Sequence, residues 1–299
     1  MMVNGCDCSI VIKTDYKEMD IPYAEETLRE AVSFLQEEAS IEGDGVCRGI
    51  RKVIGVTGCI VTPLTIDTAP LLLYLAMGSA GLPVYVSETK NLYRVSLNLL
   101  PIEDTDSFDL IQDRSINNRT AGSEQLAVSG ERKLYERCRV KGFEMRIMRD
   151  EAIKLKLDIS SEWPPTAYPY LDTFTRERGE QFSGDNATYE INGQEYKNIY
   201  GITLISKKDG GTKTEIWVKR ALETGSDIPL VIDEMVITAH LLRTLYEYRH
   251  FGMFRLTLKK LVLISDETSI NSCDTVIGPL RYYITGNVET EVFTTGDEV

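Results

Sequence analysis

The chain has 299 residues, with 33 Lys and Arg against 46 Asp and Glu, so it carries a net charge of −13. Its 42% hydrophobic and 26% charged residues match a globular protein with a packed core, and its longest apolar run, Pro70 to Met77, falls far short of the ~20 residues of a membrane-spanning helix. The acid excess argues against tight nucleic-acid binding, which depends on Lys and Arg neutralising phosphates.

Charge is uneven from the start: residues 1 to 50 hold eleven acidic and four basic side chains, a net of −7. Met1 to Asp20 has no basic region followed by an apolar stretch, so neither a secretory nor a lipoprotein signal is expected and a cytoplasmic origin is. Ile10 to Lys13 reads as a strand. Ala24 to Glu38 places Leu28, Ala31, Val32 and Leu35 at helical spacing with acids opposite, which predicts an amphipathic helix. Lys52 to Ile66 is β-branched, with Gly55 and Gly58 as bends or bulges. A second helix is predicted over Pro70 to Met77, with Asp67 or Thr68 as cap, Pro70 in the first turn and Gly78 as stop. Apolar residues surround it, so burial is expected.

Asn91 to Leu100 is a further strand, and the polar stretch Ile102 to Glu131 reads as a loop. Gly142 to Met148 alternates Phe143, Met145 and Ile147 with Glu144 and Arg146, and Lys154 to Ile159 repeats the alternation; the Arg149-Asp150-Glu151 turn joins them as a hairpin. Glu162 to Ser183, with Trp163-Pro164-Pro165 and Pro169, reads as a loop or linker. Asn192-Gly193 between Thr188–Ile191 and Glu195–Ser206 is a strong hairpin signal, because both central positions of a type I′ turn need positive φ. Asp209-Gly210-Gly211 turns into Thr214 to Lys219. Met235 to Leu242, Met253 to Ile264 and Leu280 to Ile284 follow, and Gly286-Asn287 is predicted to close a last hairpin with Val288 to Phe293. At least nine strands joined mostly by tight turns give a mainly β chain, of sandwich or barrel class, with one or two short helices. The expected organisation is a first strand-rich half over 1–162, a linker over 163–183 and a second half over 184–299.

Residues able to carry chemistry do not assemble into a known signature, so no catalytic, cofactor or metal site is assigned. The six cysteines, Cys6, Cys8, Cys47, Cys59, Cys138 and Cys273, are sparse and are expected to be free thiols. Cys6-Asp7-Cys8 would need two further metal ligands, and the chain offers only His240 and His250. His240 falls in an alternating strand and His250 in a Tyr- and Arg-rich loop, so a histidine triad has little to build on. Gly43-Asp44-Gly45 lacks the third glycine and following helix of a phosphate loop, and Gly78-Ser79-Ala80-Gly81 comes off a helix, which is wrong for a hydrolase elbow. The carboxylates Glu103, Asp104, Asp106 and Asp109, and Asp233 with Glu234, leave a glycosidase pair open without singling one out, and the first group lacks the glycine and terminal glutamate of a calcium loop. Basic residues between Arg132 and Arg149 alternate with Glu136, Glu144 and Asp150, as on a strand laced with ion pairs. Asn118-Arg119-Thr120 and Asn186-Ala187-Thr188 would be glycosylation acceptors only in a secreted protein. Trp163, Tyr168 and Tyr170 are the local candidates for an aromatic sugar-binding platform.

Several segments, taken in order, resemble the roughly 300-residue tail tube proteins of long-tailed bacteriophages. They are Arg48 to Gly58 (RGIRKVIGVTG) leading to Pro70 to Gly78 (PLLLYLAMG), Leu134 to Val140 (LYERCRV) with its hairpin, Thr188 to Gly193 (TYEING), and Asp233 to Leu241 (DEMVITAHL). They are spread along the chain from Arg48 to Leu241. The resemblance implies a structural subunit, not an enzyme and without cofactors, that joins sheets edge to edge with copies of itself. Stacked rings, hexameric or pseudo-hexameric trimers, would form a hollow tube in a virion tail assembled in the bacterial cytoplasm, alongside other tail proteins and with no membrane partner. DNA would pass through an acidic lumen without specific binding. Edge strands that are an aggregation liability in a monomer become the interface in a closed ring, and long loops would order on contact with the next ring. Such tubes imply extended chain ahead of Arg48, at odds with the helix predicted over Ala24 to Glu38. A glycan- or surface-binding β-module and a carboxylate-dependent hydrolase are the other readings.

Overall fold

The computed structural model describes residues 9–15, 17–36, 49–80, 84–87, 92–113, 116–117, 128–129, 132–168, 179–197, 199–207, 211–217, 231–244, 249–263, 282–284 and 288–295. Among the described residues its architecture is mainly β with one short α-helix, consistent with a β-sandwich. The chain packs as two compact units that interleave along the sequence: Met1–Ile60, Ser107–Arg139 and Asp158–Arg176 form one, and Val61–Asp106, Val140–Leu157 and Glu177–Val299 the other.

Among the described residues, one sheet of eleven strands runs in the order Glu18–Ile21, Ser9–Lys13, Phe108–Asp113, Arg132–Met148, Lys154–Ser161, Gly49–Pro63, Glu25–Glu26. Arg29–Gln36 pairs with Gly49–Pro63, and Thr166–Ala167 and Gly201–Lys207 each pair with Arg132–Met148; Gly211–Trp217 pairs in turn with Gly201–Lys207.

In the first unit the core is built from Ile10, Val11 and Ile12 against Leu110 and Ile111, all fully buried. Phe108–Asp113 is a central strand here, antiparallel to Ser9–Lys13 on one side and to Arg132–Met148 on the other. It corrects the loop expected over Ile102 to Glu131. Its polar residues misled because they meet partners on the next strand: the Tyr135 hydroxyl donates to Gln112 Oε1 at 2.8 Å, and Arg132 pairs with Asp113 at 2.7 Å. Ile116–Asn117 and Val128–Ser129 add a two-stranded ribbon within the same expected loop.

Ala24 to Glu38 is also corrected. The segment is extended, as Glu25–Glu26 and then Arg29–Gln36, the latter antiparallel to Gly49–Pro63. Eight residues of backbone pairing outweigh the small per-residue helix preference of Leu, Ala and Glu. The ladder has one fault, where Ala31 and Val32 pair with Gly55 and Val53, so that Ile54 is the extra residue of the partner strand, 49% exposed. Gly58 lets the two backbones close up, since a Cβ there would lie 2.5 Å from the Thr27 carbonyl oxygen.

The second unit holds a nine-stranded sheet in the order Gln194–Glu195, Ala187–Ile191, Val231–Thr244, Arg249–Leu263, Val288–Thr295, Leu92–Leu99, Gly78–Ala80. Tyr282–Ile284 pairs with Arg249–Leu263, and Val84–Ser87 with Leu92–Leu99. Alternation divides its faces: Tyr189, Ile237 and Leu256 are buried, whereas Thr188, Thr238 and Arg255 on the opposite face are half-buried. That second face carries a charge ladder across three strands, with Glu291 between Arg94 at 3.6 Å and Arg255 at 3.4 Å, and Glu289 on Lys259 at 3.1 Å. The helix Ala69–Met77 forms as expected, with Pro in its first turn and Gly78 at φ 103 as its left-handed stop. Leu72, Leu73 and Ala76 are fully buried, and each buried leucine contributes about 2 kcal/mol. Thr68 makes no cap to the helix backbone. Its hydroxyl lies 2.9 Å from that of Thr65, and each threonine accepts the other's backbone N–H at 3.2 Å, closing the buried turn.

The Asn192-Gly193 turn has φ of 50 and 78, as a type I′ hairpin demands, and Asn192 Oδ1 accepts the Glu234 N–H at 3.1 Å. Gly201–Lys207 and Gly211–Trp217 pair as expected, while Asp209 and Gly210 lie outside the described residues. The hairpin predicted at Gly286-Asn287 is corrected. Tyr282–Ile284 and Val288–Thr295 both run antiparallel to Arg249–Leu263, Ile284 opposite Leu261 and Val288 opposite Leu258. They follow one another along one edge, so the Gly-Asn pair separates two stretches of the same direction. In the expected linker 163–183, residues 169–178 lie outside the described set. Gln181 and Ser183 bridge to Thr65 and Ala152, and Phe182 is buried edge-on against Phe254 at 5.2 Å.

Two glycine substitutions separate close approach from turn geometry. Gly58→Ala is expected to cost about 2–3 kcal/mol in urea unfolding, because backbone must move. Gly193→Ala, which meets no atom within 4 Å, is expected to cost about 1 kcal/mol through its positive φ alone.

Candidate assembly surface

The residues singled out for chemistry are dispersed. Asp106 accepts the Tyr74 hydroxyl, and Asp109 Oδ1 accepts the Arg137 backbone N–H at 2.9 Å. Glu103 and Asp104 sit exposed in a short 3₁₀ turn, Ile102–Asp104. Asp233 and Glu234 are exposed on Val231–Thr244. No group of three or more His, Cys, Asp or Glu side chains converges among the described residues. His240 stands opposite Met253, and His250, expected in a loop, lies in the strand Arg249–Leu263 opposite Arg243. Ser79 and Ala80 continue from the helix into the strand Gly78–Ala80. Asn186 ends a short 3₁₀ turn, Gly184–Asn186, and Asn118, Gly43 to Gly45, Cys6, Cys8, Cys47 and Cys273 lie outside the described residues.

Cys59 and Cys138 are free thiols. Burial, with a smaller contribution from the Asp109 carboxylate, pushes the Cys138 thiol from 9.0 up to about 12. It is a packing residue, not a nucleophile. The basic strand residues are tied down in place: Lys133 meets Glu30 at 3.7 Å, Arg146 meets Glu151 at 3.3 Å, and Arg149 donates to the Lys197 carbonyl.

One feature of the first unit stands out in its construction. Tyr135 pairs with Leu110 and Cys138 with Phe108, so the strand Arg132–Met148 carries an extra residue between them. Arg137 takes up the bulge at φ 51, a conformation that costs a non-glycine residue about 1 kcal/mol. Its guanidinium lies over the Trp163 ring, 4.8 Å from the centroid. Trp163 is 47% exposed. Ser161 fixes its backbone, accepting the Trp163 N–H at 3.0 Å while donating to the Glu136 carbonyl at 2.6 Å. Sequence reading picked out Trp163 but missed Arg137, because a left-handed arginine leaves no signal in a β-strand. Of the other platform aromatics, Tyr168 is half-buried and Tyr170 lies outside the described residues.

Among the described residues, Glu18–Ile21 and Gln194–Glu195, at the ends of the two large sheets, each pair with one strand only; a strand paired on one side has a second row of backbone groups that a further strand can join. No family model matches the chain, and no curated protein matches it.

Two measurements follow. Since burial favours the neutral Cys138, its stabilising effect is complete below pH 9.0 and fades as pH rises towards 12; Tyr189, raised from 10.0 to about 12 chiefly by burial, acts in the same sense. Urea midpoints are therefore expected to fall between pH 9 and 12, with the loss reduced in Cys138→Ala relative to its own value at pH 7. Arg137→Gly is expected to hold stability within about 1 kcal/mol, the relief of strain offsetting the lost stacking.

Proposed function

We propose that the chain is a structural subunit of a long-tailed phage or prophage tail tube. It would assemble with copies of itself into stacked rings around a DNA-conducting channel. The observation that supports this best is the pair of large sheets ending on strands that pair on one side only. Completing those ladders with a neighbouring copy satisfies backbone groups and gives edge strands an assembly role. The −13 charge suits a conduit that DNA must leave, because like-charge repulsion opposes adhesion. Among the described residues no three of the His, Cys, Asp and Glu side chains converge, which favours structural work over the hydrolase reading.

A glycan-binding module would draw on exposed Trp163, one face of which the Arg137 guanidinium already covers. The tube reading is tested by light scattering and negative-stain microscopy of the purified chain at micromolar concentration. Rings or tubes are expected; a compact monomer at every concentration and salt contradicts it.

A further inference from the structure

We propose that the Arg137–Trp163 stack is a docking surface for the acidic Asn192-Gly193 hairpin of a second copy of this chain. The proposal rests on the self-assembly reading and deepens it, by naming the side chains that join the copies beyond backbone pairing.

The receiving surface has the construction of a binding hot spot, where Trp and Arg are enriched. Trp163 is 47% exposed yet held by Ser161 and by the overlying Arg137. A large side chain already fixed in place loses little freedom on binding. Arg137 sits in a left-handed conformation on a bulge, with its N–H taken by Asp109; that geometry directs an exposed guanidinium on to an exposed ring. A second bulge leaves Ile54 49% exposed. Its neighbour Gly55 meets the backbone of Ser161 and Glu162, where a Cβ would lie 2.1 Å from the Ser161 carbonyl oxygen. Ile54 thus adjoins in sequence the point where the Gly55 backbone meets the residues just before Trp163.

The occupant follows from charge. The hairpin pairs Glu190 directly opposite Glu195, both exposed, and like charges at such positions repel. Asn192 ties the turn to Glu234, and Asp233 and Glu234 are exposed beside it. An incoming guanidinium relieves that repulsion and donates to carboxylate oxygens through its fork of N–H groups. Both halves are on one chain, and they are different surfaces, so the contact is heterologous and propagates from copy to copy. On a chain of net charge −13, a second copy supplies the acidic partner that Arg137 requires.

The test uses the full chain and sedimentation velocity from 1 to 100 μM, on the order of the range where subunits of weak to moderate affinity assemble. Arg137→Gly suits the bulge conformation, so it folds while removing the guanidinium; it is expected to weaken self-association about tenfold or more, as is Trp163→Ala. Glu195→Arg is expected to weaken it likewise, and Arg137→Glu combined with Glu195→Arg to restore it. Wild-type assembly that persists unchanged in Arg137→Gly and Trp163→Ala overturns this docking surface while leaving the self-assembly reading intact. A wild-type chain that stays monomeric overturns both. Loss in both single charge reversals without rescue in the double variant also counts against the pairing of these two residues.

Discussion

The fold depends on one constraint above the others, namely that every backbone group of the long strand Arg132–Met148 must find a partner. Its 17 residues pair with Phe108–Asp113 along the first part and with Gly201–Lys207 along the second, while Lys154–Ser161 lies on its other side. Unpaired backbone N–H and C=O groups inside a protein are costly, so the strand obliges distant stretches of chain to become strands as well. The central position of Phe108–Asp113 follows, polar residues included. So does the bulge at Arg137, because strand and partner differ by one residue between Tyr135 and Cys138.

The elements most legible in the sequence were those governed by local chemistry. Asn192-Gly193 needs two positive φ values, and few other residue pairs supply them at low cost. Ala69–Met77 is bracketed by a proline that fits a first turn and a glycine that fits a left-handed stop. The misread elements are those where pairing over long sequence distance decided the outcome. Arg29–Gln36 carries helix-forming residues, yet its conformation is set by Gly49–Pro63. Gln112 and Asp113 look like loop residues until Tyr135 and Arg132 arrive from the next strand. Gly286-Asn287 has the composition of a hairpin turn, but the strands on either side are both claimed by Arg249–Leu263.

The same distinction applies to function. The exposed Trp163 was visible in the sequence because the Trp-Pro-Pro run is unusual, whereas its arginine partner depends on a ladder fault 26 residues earlier in the chain. The strand ends that take one partner only are likewise a property of the assembled sheets and not of any motif.

The claim on which the account turns is that the one-sided strands are completed by neighbouring copies. Amide hydrogen exchange across Glu18–Ile21 and Gln194–Glu195, compared between dilute and concentrated protein, tests it most directly. Concentration-dependent slowing at these strands, with the central strand Phe108–Asp113 protected throughout, is the predicted result. Exchange at the outer strands that stays fast at concentrations where the chain self-associates would contradict it.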